Sequence, residues 1–368
     1  YAVTGVQTCA LPILLKNLAC TILLWALLIL SATRALSAGT VSTSKTLAHT
    51  VNDRLMISQD AYLPTHIYLD LGLSQPQDLH VSDNTMYIAD TGNKRILIVD
   101  LVTSEEFTVG EGILTQPVGV TTDEYGRIYV ADSGNAEVYR FNSRGQLEFV
   151  FTRPEIPTFG RTQGFKPSKV AAADAGGIYL VSEGNYAGII HMNGIGDFLG
   201  YFASNKVSVT FTQRMQDIFL TEEQKKTFLG RTPPSFANIH RGYDGLIYSI
   251  NRGNAVNVKK HSISGLDMFQ DTARRTVFEE PVDLCVAPDG RIFILSMNGR
   301  ITELTYDGFL IASWGGSSNK SDRIGLFEVP TGIGVDSSGN VYVLDSQRAY
   351  VQVFSRSEER RVGKECRY

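Results

Sequence analysis

The chain has 368 residues, 43% of them hydrophobic, a formal net charge of −4 and four cysteines. With no basic block in its central part it is not built for nucleic acid, whose phosphates call for a clustered positive face. Only Cys285 falls in the expected mature domain, which excludes a disulfide framework and a cysteine metal site. In chain order, Tyr1–Ile13 resembles translated sequencing-adaptor DNA, as does Arg356–Tyr368, and neither piece enters the fold reasoning (1–13 and 356–368). Residues 14–38 then show Lys16, an apolar run from Leu18 to Leu30 and the small residues Ser31, Ala32, Ser37 and Ala38. A basic start, a short apolar core and a small-residue cleavage zone predict a signal peptide or an N-terminal anchor, hence an exported protein, extracellular or in the cell envelope. The run is short for a spanning helix. Residues 39–60 are expected to be a linker.

From residue 61 to 355 one design recurs six times. Each unit reads as an opening residue, an alternating apolar run, a Gly turn, a second apolar run and a Gly/Asn turn. The opening residues Pro76, Pro117, Pro167, Phe236, Pro281 and Pro330 lie 41, 50, 69, 45 and 49 residues apart. In copies two to six a glycine follows nine residues later (Gly126, Gly176, Gly245, Gly290, Gly339), and Thr85 takes that place in copy one. In copy two the runs Val118–Val120, Ile128–Val130, Glu137–Phe141 and Leu147–Phe151 read as four strands joined by tight turns. Four short strands per unit, repeated radially, make one propeller blade each. The blocks YIADTGNKRI (Tyr87–Ile96), YVADSGNAEV (Tyr129–Val138) and VYVLDSQRAYVQVF (Val341–Phe354) resemble NHL repeats of bacterial exported proteins. The resemblance covers about Leu69 to Ser355 and implies an all-β, six-bladed β-propeller of four-stranded blades.

Copy six supplies three strands and lacks an outer one. The run His66–Gly72 occupies the place that a fourth strand takes before each later repeat, as Phe309–Gly316 does before copy six. An N-terminal strand is therefore expected to complete the last blade, because an unpaired blade edge leaves backbone groups and an apolar face to water. An insertion at about 205–234 breaks the period. Within it, Thr221 and Gln224 form a capping box for a short helix to Leu229, stopped by Gly230 and Pro233–Pro234.

In propellers of this kind the loop entering each inner strand and the turn between second and third strands share one face. That loop face is expected to bind ligand through Asp78, Lys169, Asn238 and Asp283 from the entries, and through Arg95, Glu183, Arg252 and Arg348 from the second turns. The turn asparagines need no such role, since positive-φ turns select them anyway. His80 and His240 occupy equivalent places in copies one and four, opposite each other in a ring of six. They are candidates for a metal with Asp283 or Cys285 nearby. The alternative has both imidazoles wedged between blades and bonded to backbone.

No G-x-S-x-G elbow, zinc-protease pair or phosphate loop is present. NHL-type amidating lyases carry histidine directly after the opening residue; here those positions are Gln77, Val118, Ser168, Ala237, Val282 and Thr331. Lactonase-type propellers bring Glu, Asn and Asp onto one ion, a role Glu183, Asn238 and Asp283 can imitate. The expected function is an exported, non-catalytic binding or scaffold propeller for a protein, peptide or glycan, with no cofactor; Tyr186 and Tyr243 are candidate sugar platforms. One alternative is a metal-dependent hydrolase or lyase of the lactonase type with Ca or Zn. Another is the extracytoplasmic sensor part of a larger membrane protein, associated with the membrane through an N-terminal or a missing C-terminal segment.

Overall fold

The computed structural model describes residues 46–49, 55–58, 60–160, 163–203, 235–251, 257–269, 278–318 and 323–357. The signal-like segment, Arg252 and the insertion at 205–234 with its expected helix lie outside them. The alternating runs form antiparallel blades in sequence order. Blade one comprises Asp78–Ser82, Thr85–Asp90, Arg95–Asp100 and Glu106–Val109; blade two comprises Pro117–Thr122, Ile128–Asp132, Glu137–Phe141 and Leu147–Phe151. Blades three to six open with inner strands Pro167–Ala172, Phe236–Arg241, Pro281–Val286 and Pro330–Val335. Blade four shows three strands among the described residues, with a bridge from His261 to Asp267. The molecule is a six-bladed β-propeller.

Period-two alternation gives each blade two apolar faces, and each face is buried against the next blade. Among the described residues six apolar clusters each join two successive blades, the last joining blade six back to blade one. The closure expected from the sequence is present. Tyr62–Tyr68 pairs with Tyr350–Arg356, with Val351 opposite Tyr68 and Val353 opposite His66. Tyr62 is fully buried there and stacks on Trp314 of blade five, ring centroids 4.2 Å apart. Such a pair adds about 0.5–1.5 kcal/mol beyond the area it buries.

Two recurring contacts hold the turns. Asp90, Asp132 and Asp345, the acids of the repeat motif, are fully buried. The Asp132 carboxylate accepts the N–H groups of Thr115, Gln116, Gly134 and Asn135, so it clasps the entry loop to the second turn. Asp345 does the same with Glu328, Val329, Gln347 and Arg348. At the first turns, Tyr129 and Tyr342 donate their hydroxyls to Asp123 and Asp336.

Two segments differ from the sequence expectation. The stretch 39–60 holds a hairpin where a linker was expected: Thr46–His49 pairs with Leu55–Ser58 and meets the outer strand of blade five at Leu47 and Ser313. An open blade edge is a ready template for such pairing. Arg356 and Ser357, read as the start of the adaptor-like tail, continue the closing strand; Arg356 pairs with Tyr62 and the Ser357 N–H donates to the Ala61 carbonyl at 2.9 Å.

Candidate functional site: the axial channel

The six inner strands line the axis in tiers. A register shift one residue past the opening position, recorded in blades two to six, turns the side chain two residues past it toward the axis. The positions so placed are Gly119, Lys169, Asn238, Asp283 and Gly332, and Asp78 is the equivalent residue of blade one. Two residues further along, again on the axial side because strands alternate, stand His80, Thr121, Ala171, His240, Cys285 and Gly334.

The first tier is a plug. Lys169 donates its ammonium to the Asp78 carboxylate, whose other oxygen accepts the Val120 N–H of blade two at 2.8 Å. Asp283 takes the Asn238 amide at 2.6 Å, its own neighbour Leu284 N–H at 2.8 Å and the Ile333 N–H of blade six at 2.7 Å. Each acid thus ties its blade to the next. Both following blades carry glycine in this tier, because a Cβ on Gly119 would stand 2.7 Å from the Ser168 carbonyl and one on Gly332 2.7 Å from Leu79 Cβ. The free space left is only about 20 Å³. Desolvation pushes the Asp78 carboxyl up against the pull of Lys169. It pushes Asp283 up to about 7, with Lys169 opposing and Asp78 assisting. Burial disfavours the Lys169 ammonium, yet the charges of Asp78 and Asp283 outweigh it and hold lysine above its ordinary range.

The second tier is the floor of a funnel of about 540 Å³ that opens on the first-turn face, opposite the loop face. His80 and His240 meet across it with ring centroids 6.2 Å apart, so the placement of the pair read from the repeat holds. Neither bonds to backbone: His80 Nε2 lies 3.1 Å from Thr122 Oγ1, and the His240 ring takes no hydrogen bond among the described residues. Each ring keeps some surface toward the funnel but lies deep in the fold. Desolvation therefore depresses both, His80 to about 3 with help from His240, and His240 to about 4 against Asp244. Both imidazoles are neutral at pH 7. Burial pushes the Cys285 thiol well up, away from the thiolate form that a nucleophile needs. The rim adds Tyr87, Tyr243, Asp83, Glu124 and Arg241.

The loop-face mouth is smaller, about 380 Å³, and is ringed by the residues that follow the openings, including Gln77, Val118 and Thr331. Of the residues expected to bind ligand there, Glu183 reaches the mouth, ion-paired with Lys166 at 2.7 Å, and Lys169 touches its floor. Asp78, Asn238 and Asp283 are 6%, 2% and 4% exposed. They sit inside the channel, because strand residues and not loop residues occupy those positions. Arg95 is held by Asp90 at 2.9 Å. Arg348 donates to the Ser318 and Leu326 carbonyls and the Tyr350 hydroxyl. Both arginines brace turns and line neither mouth. Sequence reasoning missed Asp83, Glu124 and Arg241; their shared place at or beside the first turns, all on one face, was the available signal.

Solved structures of low identity share this architecture. A gluconolactonase from Xanthomonas campestris aligns with a TM-score of 0.54 at 12% identity, over 84% of this chain and 94% of that one. A streptogramin B lyase gives 0.50 at 11%, over 81% and 100%. A Bacteroides thetaiotaomicron protein of unknown function gives 0.51 at 14%, over 86% and 76%. The likeness is one of fold. No family model and no curated protein matches the sequence.

The residues of a lactonase-like ion site already have protein partners. Both Asp283 oxygens and the Asn238 carbonyl oxygen, which accepts the Ile239 N–H at 2.7 Å, are engaged by protein donors. Glu183 stands on the rim with Lys166, and the Lys169 ammonium occupies the axis beside Asp78. Among the described residues no group of three His, Cys, Asp or Glu is placed to hold an ion. The set does not fit a divalent cation.

Proposed function

We propose that this chain is an exported, non-catalytic binding propeller of the NHL-repeat type, and that it takes a glycan or peptide ligand end-on in the first-turn funnel. The observation that carries the proposal is the funnel itself. Its volume of about 540 Å³ is that of a small-ligand site, it has an aromatic and polar rim, and it ends on two neutral imidazoles above a sealed plug. A blind funnel retains a ligand and offers no through-path. The non-catalytic part rests on chemistry: the thiol is held protonated, the lysine is locked to an acid, and the Asp283 set prefers protein donors to a metal. Export is supported by Lys16 followed by the apolar run to Leu30. The binding face is then that of the first turns and not that of the entry loops.

The test is a set of thermal melts and amide chemical-shift titrations of the full chain with oligosaccharides and short peptides, repeated with EDTA. Shifts confined to the first-turn residues, with melts indifferent to EDTA, are expected. A melt lowered by chelation, or turnover of a lactone, would replace this reading with the metal-dependent hydrolase.

A further inference from the structure

We infer that the group bound at the bottom of the funnel is a primary ammonium, carried by an amino sugar or by a peptide; the inference rests on the binding reading above and names its ligand chemistry.

The charges of the lining decide the sign. Asp123 is neutralised by Arg127 at 2.7 Å, and Arg241 is held by Asp174 at 2.5 Å. Asp83 and Glu124 are exposed on the rim and make no ion pair among the described residues. Two carboxylates without a counter-charge, against one arginine already engaged, favour a cation and repel an anion. The Asp83 carboxylate is within electrostatic reach of both rim tyrosines, Tyr87 and Tyr243. A cationic ligand entering past them meets aromatic rings as well as acids.

The floor supplies a second, independent indication. The Thr121 side chain is 9% exposed, faces the funnel, and has no hydrogen-bond partner among the described residues. The His240 ring, two blades further round the same tier, is equally without one among the described residues. Both line the funnel and have no protein partner among the described residues, so both are open to a ligand there. A neutral imidazole nitrogen and a hydroxyl oxygen are acceptors, and an ammonium brings three N–H donors and no acceptor. A quaternary cation has no N–H to give them, and a protonated imidazole would have repelled any cation. The first of these facts selects a primary amine over a choline-type head.

Isothermal titration of the full chain with four probes tests this: the β-1,4-linked glucosamine disaccharide and its N,N′-diacetyl form, and a Gly-Tyr amide with a free and with an acetylated N-terminus. The free amine of at least one pair is expected to bind tenfold or more tightly than its acetylated partner, and the pair that does so identifies the source. The combined change Asp83→Asn with Glu124→Gln is expected to lower that affinity about tenfold without moving the melt. Equal binding of amine and acetylated probes, or full affinity in the double variant, overturns the ammonium and leaves the binding propeller standing. Silence from all four probes overturns both.

Discussion

Two tiers of one channel, separated by two residues along the same six strands, handle polarity in opposite ways. In the upper tier every charge has a partner inside the protein: Lys169 faces Asp78, Asn238 faces Asp283, and each acid accepts the N–H of the following blade. In the lower tier His240 and Thr121 have none among the described residues, and the rim acids Asp83 and Glu124 face solvent. Residue type alone does not separate the two, for both tiers are polar. What separates them is satisfaction. A compensated buried charge fixes blade register and closes the axis, whereas an uncompensated acceptor in a funnel is available to a solute.

The largest effect that sharpens this contrast is expected in the plug. Lys169→Met leaves Asp78 buried without its cation, and removing one partner of a buried pair costs about 3–5 kcal/mol. Urea unfolding of the full chain measures it. A loss below about 1 kcal/mol would mean that the upper tier is as loosely determined as the lower. The matching change in the funnel is Tyr243→Ala. That ring is 55% exposed, so the expected stability change is within about 0.5 kcal/mol; a loss of several kcal/mol would make the rim structural.

The ring was legible in the sequence and the channel only partly so, for physical reasons. Repeat period, turn glycines and a closing N-terminal strand are all local signals: Gly126 and Gly339 have φ of 71° and 82°, and a strand closes blade six, lying at Tyr62–Tyr68, four residues before the run His66–Gly72 in which the sequence places it. The motif acid was legible as a marker but not as a clasp, since its role depends on four N–H groups brought in by two loops. The candidates Asp78, Lys169, Asn238 and Asp283 were correctly grouped, because equivalence within a repeat is positional. The repeat places them on the loop face because the one-residue register shift that turns Lys169, Asn238 and Asp283 to the axis leaves no trace in composition. Arg95 and Arg348 look like free turn charges until Asp90 and the Ser318 and Leu326 carbonyls are placed beside them. The rim acids were invisible for the converse reason: first turns are rich in Asp in any propeller, and only three-dimensional neighbours tell an engaged Asp123 from an unengaged Asp83.

The smallest expected effect is an absence of change, and it bears most directly on the floor of the funnel. Desolvation holds His80 and His240 at about 3 and about 4, against an ordinary value of 6.5. Their Cε1–H resonances are therefore expected to stay at neutral positions from pH 8 down to pH 5. The stability these rings contribute is fully present above 6.5 and is lost as pH falls from there toward 4, because the unfolded chain takes up protons first. Asp283 works in the opposite sense: its folded value of about 7 lies above the ordinary 3.8, so its contribution is present at low pH and is lost as pH rises through 7. A melting curve near pH 5 sums the two and cannot separate them, whereas single-residue resonances can. An imidazole midpoint near 6 would show the floor to be hydrated like a surface. The funnel would then be a second plug with water in it, its acceptors already satisfied, and the distinction between the tiers would disappear.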